Sequence, residues 1–221
     1  MTIIVLNFKT YRESTGVEAL RLAEICEDIS QEYSVQMAVV PQVADIHAIS
    51  KAVKIPVFAQ HVDGVGYGGF TGHITAASLK AAGASGSLIN HSERRLKLAE
   101  IDAAITACKS VDLKTIVCTN NVATTQAAAA LNPDYVAVEP PELIGSGIPV
   151  SKANPDVIRG SVAAVKAIAP SVGVLCGAGI THGEDLKSAL ELGSEGVLLA
   201  SGIIKAKDQR KALEDLVTGA R

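Results

Sequence analysis

The chain has no tryptophan, and three phenylalanines and four tyrosines make up only 3% of its 221 residues. So little ring surface excludes an aromatic platform for stacking nucleic-acid bases. Positive charge is not in excess either: 20 Lys and Arg stand against 23 Asp and Glu, a formal net charge of −3, with no long run of either sign. The basic stripe of a nucleic-acid-binding surface is missing. No apolar stretch approaches the ~18–20 residues needed to span a bilayer. The first residues, MTIIVLNFK, lack the cationic leader and long apolar core of a signal peptide and read as a first strand. A cytoplasmic protein with neither membrane nor nucleic acid as partner is therefore expected. Cys26, Cys108, Cys118 and Cys176 lie far apart without a C-x-x-C pair, which disfavours zinc and dithiol sites and suits buried free thiols in a reducing compartment.

What the chain does have is aliphatic bulk. Hydrophobic residues are 48% of the total, ample for a core and incompatible with disorder. Short apolar runs recur at residues 3–8, 35–40, 56–60, 86–90, 114–119, 135–139, 172–177 and 195–201. Most are nearly continuous in Val, Ile, Leu and Ala, as in strands covered on both faces. Between them, residues 16–32, 43–52, 75–82, 100–111, 121–130, 155–168, 183–192 and 207–217 carry helical spacing. Asn154 before Pro155 is a helix-start signal, and Gly83 and Gly193 are helix stops. The alternation repeats about every 27 residues, which implies parallel strands with helical crossovers. We read residues 1–221 as one domain, an α/β protein with a single closed (β/α)8 barrel. An open doubly wound sheet makes the same local pattern and stays open on periodicity alone.

In such a barrel the chemistry sits where the strands end. The first strand ends in Asn7-Phe8-Lys9, the fourth in Asn90-His91-Ser92-Glu93 and the sixth in Val138-Glu139-Pro140-Pro141. The seventh ends in Cys176-Gly177-Ala178-Gly179 and the eighth in Leu199-Ala200-Ser201-Gly202. A lysine, a histidine and a glutamate thus converge with two small-residue loops that suit an anion. Each residue alone is compatible with a solvated or structural role; convergence in one pocket is what makes them catalytic candidates. Residues 140–151, with prolines 140, 141 and 149 and glycines 145 and 147, read as a lid able to close over a ligand.

On these motifs the chain resembles the triosephosphate isomerases, of the short archaeal type. The resemblance is carried by Asn7-Phe8-Lys9, by Asn90-His91-Ser92-Glu93-Arg94-Arg95 and by the run from Val138 to Gly147. Gly69-Phe70-Thr71-Gly72-His73 and Gly177 with Gly179 agree. The motifs fall in the right order from first strand to last. The resemblance implies an isomerase of glycolysis and gluconeogenesis, interconverting dihydroxyacetone phosphate and glyceraldehyde 3-phosphate through an enediolate. Glu139 is then the base, His91 a neutral hydrogen-bond donor and Lys9 the fixed positive charge. Asn7 holds Lys9 and substrate, and Glu93 orders the site. Backbone N–H groups of Ile144, Gly179, Ala200 and Ser201 would bind phosphate, with Gly202 opening a short helix. We expect residues 92–94 to begin another short helix whose dipole keeps His91 neutral. The resemblance also implies a homodimer or homotetramer in which Thr71 reaches Asn7 and Glu93 of a neighbouring subunit. The long-form pattern has Glu after Thr-Gly where this chain has His73.

Other signals carry less. Gly64-Val-Gly66-Tyr-Gly68-Gly69 satisfies G-x-G-x-x-G, but no helix follows directly and Asp63 precedes the glycines, so a loop is the better reading. His61-Val62-Asp63 lacks a convincingly spaced third ligand, and no metal site is expected. A proton transfer within one sugar phosphate calls for no organic cofactor. Two alternatives stay open: another phosphosugar isomerase on a barrel, and a catalytically silent phosphate-binding barrel. The joint presence of Lys9, His91 and Glu139 counts against the second.

Overall fold

The structure, a computed structural model, describes residues 2–144 and 147–220. Its strands are β1 (Ile3–Asn7), β2 (Gln36–Val40), β3 (Phe58–Ala59), β4 (Gly86–Ile89), β5 (Lys114–Thr119), β6 (Tyr135–Val138), β7 (Gly173–Gly177) and β8 (Gly196–Leu199). All pairs are parallel, in the order β2-β1-β8-β7-β6-β5-β4-β3. First and last strands are therefore neighbours, which an open doubly wound sheet does not allow. The remaining seam, between β2 and β3, is closed by a parallel bridge from Val39 to Val57 and by the Val39 N–H donating to Pro56 O at 3.0 Å. β3 is short because Pro56 has no N–H to give the ladder.

Side chains along each strand alternate between two apolar layers. Val5, Ala38, Val40, Phe58, Leu88, Ile116, Cys118, Ala137, Leu175 and Leu198 fill the barrel interior. Their neighbours Ile4, Leu6, Val39, Ile89, Val117, Val136, Val138 and Val197 face the surrounding helices. Burying each such Val, Ile or Leu contributes about 1.5–3 kcal/mol, so the interior is stable without large rings. Counting two residues past the last interior side chain gives the next inward position at the mouth. That position is Asn7 after Val5, Gln60 after Phe58, Asn90 after Leu88, Glu139 after Ala137, Gly177 after Leu175 and Ala200 after Leu198. Polarity begins where the apolar layers stop.

The helices are α1 (Val17–Tyr33), α2 (Ile46–Ala52), α3 (Ala76–Ala81), α4 (Leu98–Lys109), α5 (Val122–Ala129), α6 (Val150–Ala153), α7 (Pro155–Ile168), α8 (Gly183–Glu191), α9 (Ser201–Ile204) and α10 (Gln209–Val217). Several start away from the position read from sequence, for identifiable reasons. α4 begins two residues early because the Glu100 carboxylate accepts the Lys97 N–H at 2.7 Å, so Glu100 caps rather than opens the helix. α10 begins two residues late because Asp208 is its cap, accepting the Lys211 N–H at 3.1 Å. Asn154 does precede α7, but its side chain makes no cap bond. The 64–69 glycine segment is loop, as read, and the chain reaches α3 only at Ala76.

Candidate active site

Three strand ends deliver the ionisable groups. Lys9 follows β1 with a left-handed backbone, φ 48°, and its N–H is held by Asn7 Oδ1 at 3.0 Å. Its carbonyl accepts from Gln60 Nε2 at 2.8 Å, and that amide also reaches Val40 O at 3.2 Å. A non-glycine residue in this region is strained, and these bonds hold it there. The Lys9 ammonium lies 3.8 Å from the Glu93 carboxylate, which is largely exposed. The Asn7 side chain thus engages Lys9 through its backbone N–H.

His91 is buried. The turn that presents it is braced by Asn90, whose amide donates to Cys118 O at 2.9 Å and whose carbonyl accepts from Leu96 N–H at 2.8 Å. Arg95 donates to Asn90 O at 2.8 Å. His91 Nδ1 accepts the Glu93 N–H at 3.2 Å, so Nδ1 carries a lone pair and the ring proton sits on Nε2. Residues 92–94 form a turn, not the short helix expected from sequence. The neutral state has a different origin. Burial pushes the imidazole down to about 4, with the Lys9 charge adding to it.

Glu139 is buried, and one oxygen, Oε2, has no hydrogen-bond partner. That oxygen stands 3.8 Å from His91 Nε2. Burial raises the carboxyl to about 7, against the opposing pull of the Cys118 thiol, Lys9 and Arg95. Its space is provided by Gly177 on the next strand: a Cβ there would lie 2.3 Å from Glu139 Cγ. Gly177 is required for this close approach and is not in the left-handed region.

These groups line a cavity of about 340 Å³. Ile144, Gly179, Ala200, Ser201 and Gly202 line it too. Gly179 has φ 71°, and a Cβ would meet Ile148 O at 2.0 Å, so only glycine fits. Ala200 precedes α9, whose first residues open on the cavity. In barrels of this kind the loops after the seventh and eighth strands, with a short extra helix, form the phosphate site. Ile144 reaches the cavity, but its N–H is engaged by Pro141 O at 3.2 Å in a short 3-10 turn. The expected lid tip at Gly145 lies outside the described residues. Thr71 is exposed and absent from this cavity's lining. His61 and Asp63 pair at 2.9 Å, and among the described residues no three His, Cys, Asp or Glu come together to hold a metal ion.

A buried carboxyl, a neutral imidazole 3.8 Å from it and an ammonium, in one cavity with small-residue loops, suit one reaction class: proton abstraction beside a carbonyl in a phosphorylated substrate. A sequence model of triosephosphate isomerase matches residues 2–219. The chain belongs to the triosephosphate isomerase family. The triosephosphate isomerase of Methanococcoides burtonii is 63% identical over 216 residues, covering 98% of both chains. That of Methanosarcina barkeri is 60% identical over 217 residues, again 98% of both. The crystal structure of triosephosphate isomerase from Bartonella henselae superposes with a TM-score of 0.78 over 98% of this chain and 99% of that one, at 19% identity, and so shares the fold. The protein is an isomerase that interconverts dihydroxyacetone phosphate and glyceraldehyde 3-phosphate, a glycolytic reaction.

Sequence reasoning assigned no role to Gln60, Asn90 and Arg95, which fix the backbones carrying Lys9 and His91. Gln60 and Asn90 were findable as the inward positions after Phe58 and Leu88. Asn90 and Arg95 stood in the motif around His91, but the Arg95 bond to a backbone carbonyl could not be read from it.

Proposed function

We propose that Glu139 is the base of the triose-phosphate reaction, that His91 and Lys9 stabilise the charge that develops, and that the loops after β7 and β8 bind the phosphate. The Glu139 carboxylate takes a proton from the carbon beside the substrate carbonyl. The electron pair moves to the carbonyl oxygen, giving an enediolate, and Glu139 returns the proton to the neighbouring carbon. A carboxyl near 7 is ionised enough to act at neutral pH and basic enough to hold a carbon-derived proton. His91 Nε2–H faces the growing oxyanion; a donor of this kind typically contributes ~10²–10³-fold in rate. Remaining neutral, His91 donates its Nε2 proton as a hydrogen bond without forming an ion pair that would lower the basicity of Glu139. Lys9 sits between the oxyanion and phosphate ends, with Asn7 setting its backbone and Glu93 beside its ammonium.

Phosphate is then held by the N–H groups of Gly179, Ala200 and Ser201 at one end of the cavity. Ile144 joins them when the 3-10 turn that now engages its N–H opens as residues 140–151 move over the substrate. Covering the enediolate keeps water from promoting loss of its phosphate. The observation that carries this reading is the unpartnered Glu139 oxygen 3.8 Å from His91 Nε2, in a cavity that Gly179 and Gly202 also line.

The enzyme works as a homo-oligomer in this reading. A second cavity of about 350 Å³, beside Lys9, Gln60, Glu93 and Arg94, is open in the single chain. Val17 at the start of α1, Val43 after β2, and Tyr67 and Phe70 after β3 are also exposed, Tyr67 by 91%. Insertion of the 64–73 loop of one subunit beside Lys9 of another covers this apolar surface and brings Thr71 to Asn7 and Glu93. Phe70 packs edge-on against His73 with centroids 5.5 Å apart, which shapes the loop tip without a glutamate at 73. Among the described residues no helix is long and apolar enough to cross a membrane, and four free buried thiols suit the cytoplasm.

The test is turnover of glyceraldehyde 3-phosphate in deuterium oxide. The native chain exchanges solvent deuterium into the carbon positions flanking the carbonyl. The Glu139→Gln variant loses isomerisation and exchange together, by about a thousandfold or more, at unchanged fold by circular dichroism. Turnover within tenfold of the native chain excludes Glu139 as the base.

A further inference from the structure

The lid's returning limb is bound to the phosphate turn by a buried carboxylate that neither the proposed reaction nor the barrel itself requires. Asp185, in the first turn of α8, is 3% exposed. Its Oδ2 accepts the N–H groups of Thr181 at 3.1 Å and His182 at 3.0 Å, closing the turn that begins at Gly179. Those bonds account for an ordinary helix cap. The other oxygen, Oδ1, has a different partner: Lys152 Nζ, at 3.0 Å, from α6 in the limb that returns from the lid. Its carboxyl is held below the ordinary value in spite of burial, by the two backbone bonds and by Lys152.

Contact between limb and turn is direct. Ile148 O and Pro149 press on Gly179 so closely that no side chain fits there. The limb is held in this position although Ser151 Oγ, next to Lys152, is buried without a hydrogen-bond partner. A stranded hydroxyl disfavours the arrangement, so an attraction must oppose its relaxation. The Lys152–Asp185 pair is the charged bond placed to supply it.

We propose that Lys152 and Asp185 are positioning residues for catalysis, locking the returning limb of the lid onto the 179–182 turn so that the lid closes from an anchor fixed beside the phosphate cradle. This rests on the reading that Gly179 belongs to the phosphate site. Neither residue touches substrate. Their effect passes through the phosphate, whose binding energy an enzyme uses to orient the reacting carbons. A substrate lacking phosphate does not feel it.

The experiment compares kcat/KM for glyceraldehyde 3-phosphate with that for unphosphorylated glyceraldehyde, the latter followed by deuterium exchange. Lys152→Met lowers the phosphorylated rate about tenfold and leaves the unphosphorylated rate within about twofold; Lys152→Arg restores most of the loss. In an Asp185→Asn background, where the amide oxygen still accepts from Thr181 and His182, Lys152→Met costs nothing more. Equal loss on both substrates, no loss on either, or a further tenfold loss in the Asp185→Asn background overturns the pair's role. A native chain with no preference for the phosphorylated aldehyde overturns the phosphate reading beneath it. A strong native preference that Lys152→Met leaves unchanged overturns only the positioning role.

Discussion

Replacing Glu139 by glutamine is predicted to make the protein more stable as it makes it inactive. Burial holds this carboxyl at about 7 in place of an ordinary 4.5, which penalises the charged form by about 3 kcal/mol. Because the folded value is the higher one, the native state holds its proton more tightly than the unfolded chain does. The group's contribution is most favourable below pH 4.5 and is lost as pH rises to about 7, beyond which the full penalty applies. Glutamine has nearly the same shape and no charge. Urea unfolding at matched protein concentration should therefore show the Glu139→Gln variant about 3 kcal/mol more stable at pH 8, an advantage that fades towards pH 4.5. The real gain is smaller by whatever the amide forfeits against the Cys118 thiol, which also meets this carboxyl. A variant no more stable than the native chain at pH 8, or one whose advantage does not shrink on acidification, refutes the claim that the site holds a dehydrated, strained carboxylate.

Two further substitutions or titrations follow from the same geometry. Nitrogen-15 NMR of His91 should show the Nε2–H tautomer from pH 5 upward, with protonation only near 4; titration near 6.5, or an Nδ1–H signal, contradicts the neutral-donor role. Gly177→Ala places a methyl 2.3 Å from Glu139 Cγ, and displacing the base by about an ångström should cost ~10²-fold in kcat with little change in phosphate affinity. Near-native kcat in that variant contradicts the placement of Glu139.

Much of this was legible because a parallel barrel writes its geometry into the sequence with a simple rule: apolar strand, polar strand end, helix. Asn7, Lys9, His91 and Glu139 stand at such ends, and glycines follow β7 where an anion has to approach. What could not be read locally depends on contacts between distant segments. His91 was expected to owe its neutrality to a helix at residues 92–94; the structure gives it burial and the Lys9 charge, neither visible from spacing. Ile144 was read as a free donor, but its N–H is taken by Pro141 O, a bond that a Pro-Pro start to the loop makes easy by fixing the turn. The tie from Lys152 to Asp185 joins residues 33 positions apart in sequence and has no sequence signature.

Carbon-13 NMR titration of the Glu139 carboxyl, in the native chain and in Lys9→Met, tests most directly whether these groups share one site. The Glu139 signal, assigned by its loss in Glu139→Gln, should titrate at about 7 in the native chain and higher once the Lys9 charge is gone. A native value near 4.5, or one that Lys9→Met leaves unmoved, contradicts a single dehydrated pocket in which ammonium, imidazole and carboxylate act on the same substrate.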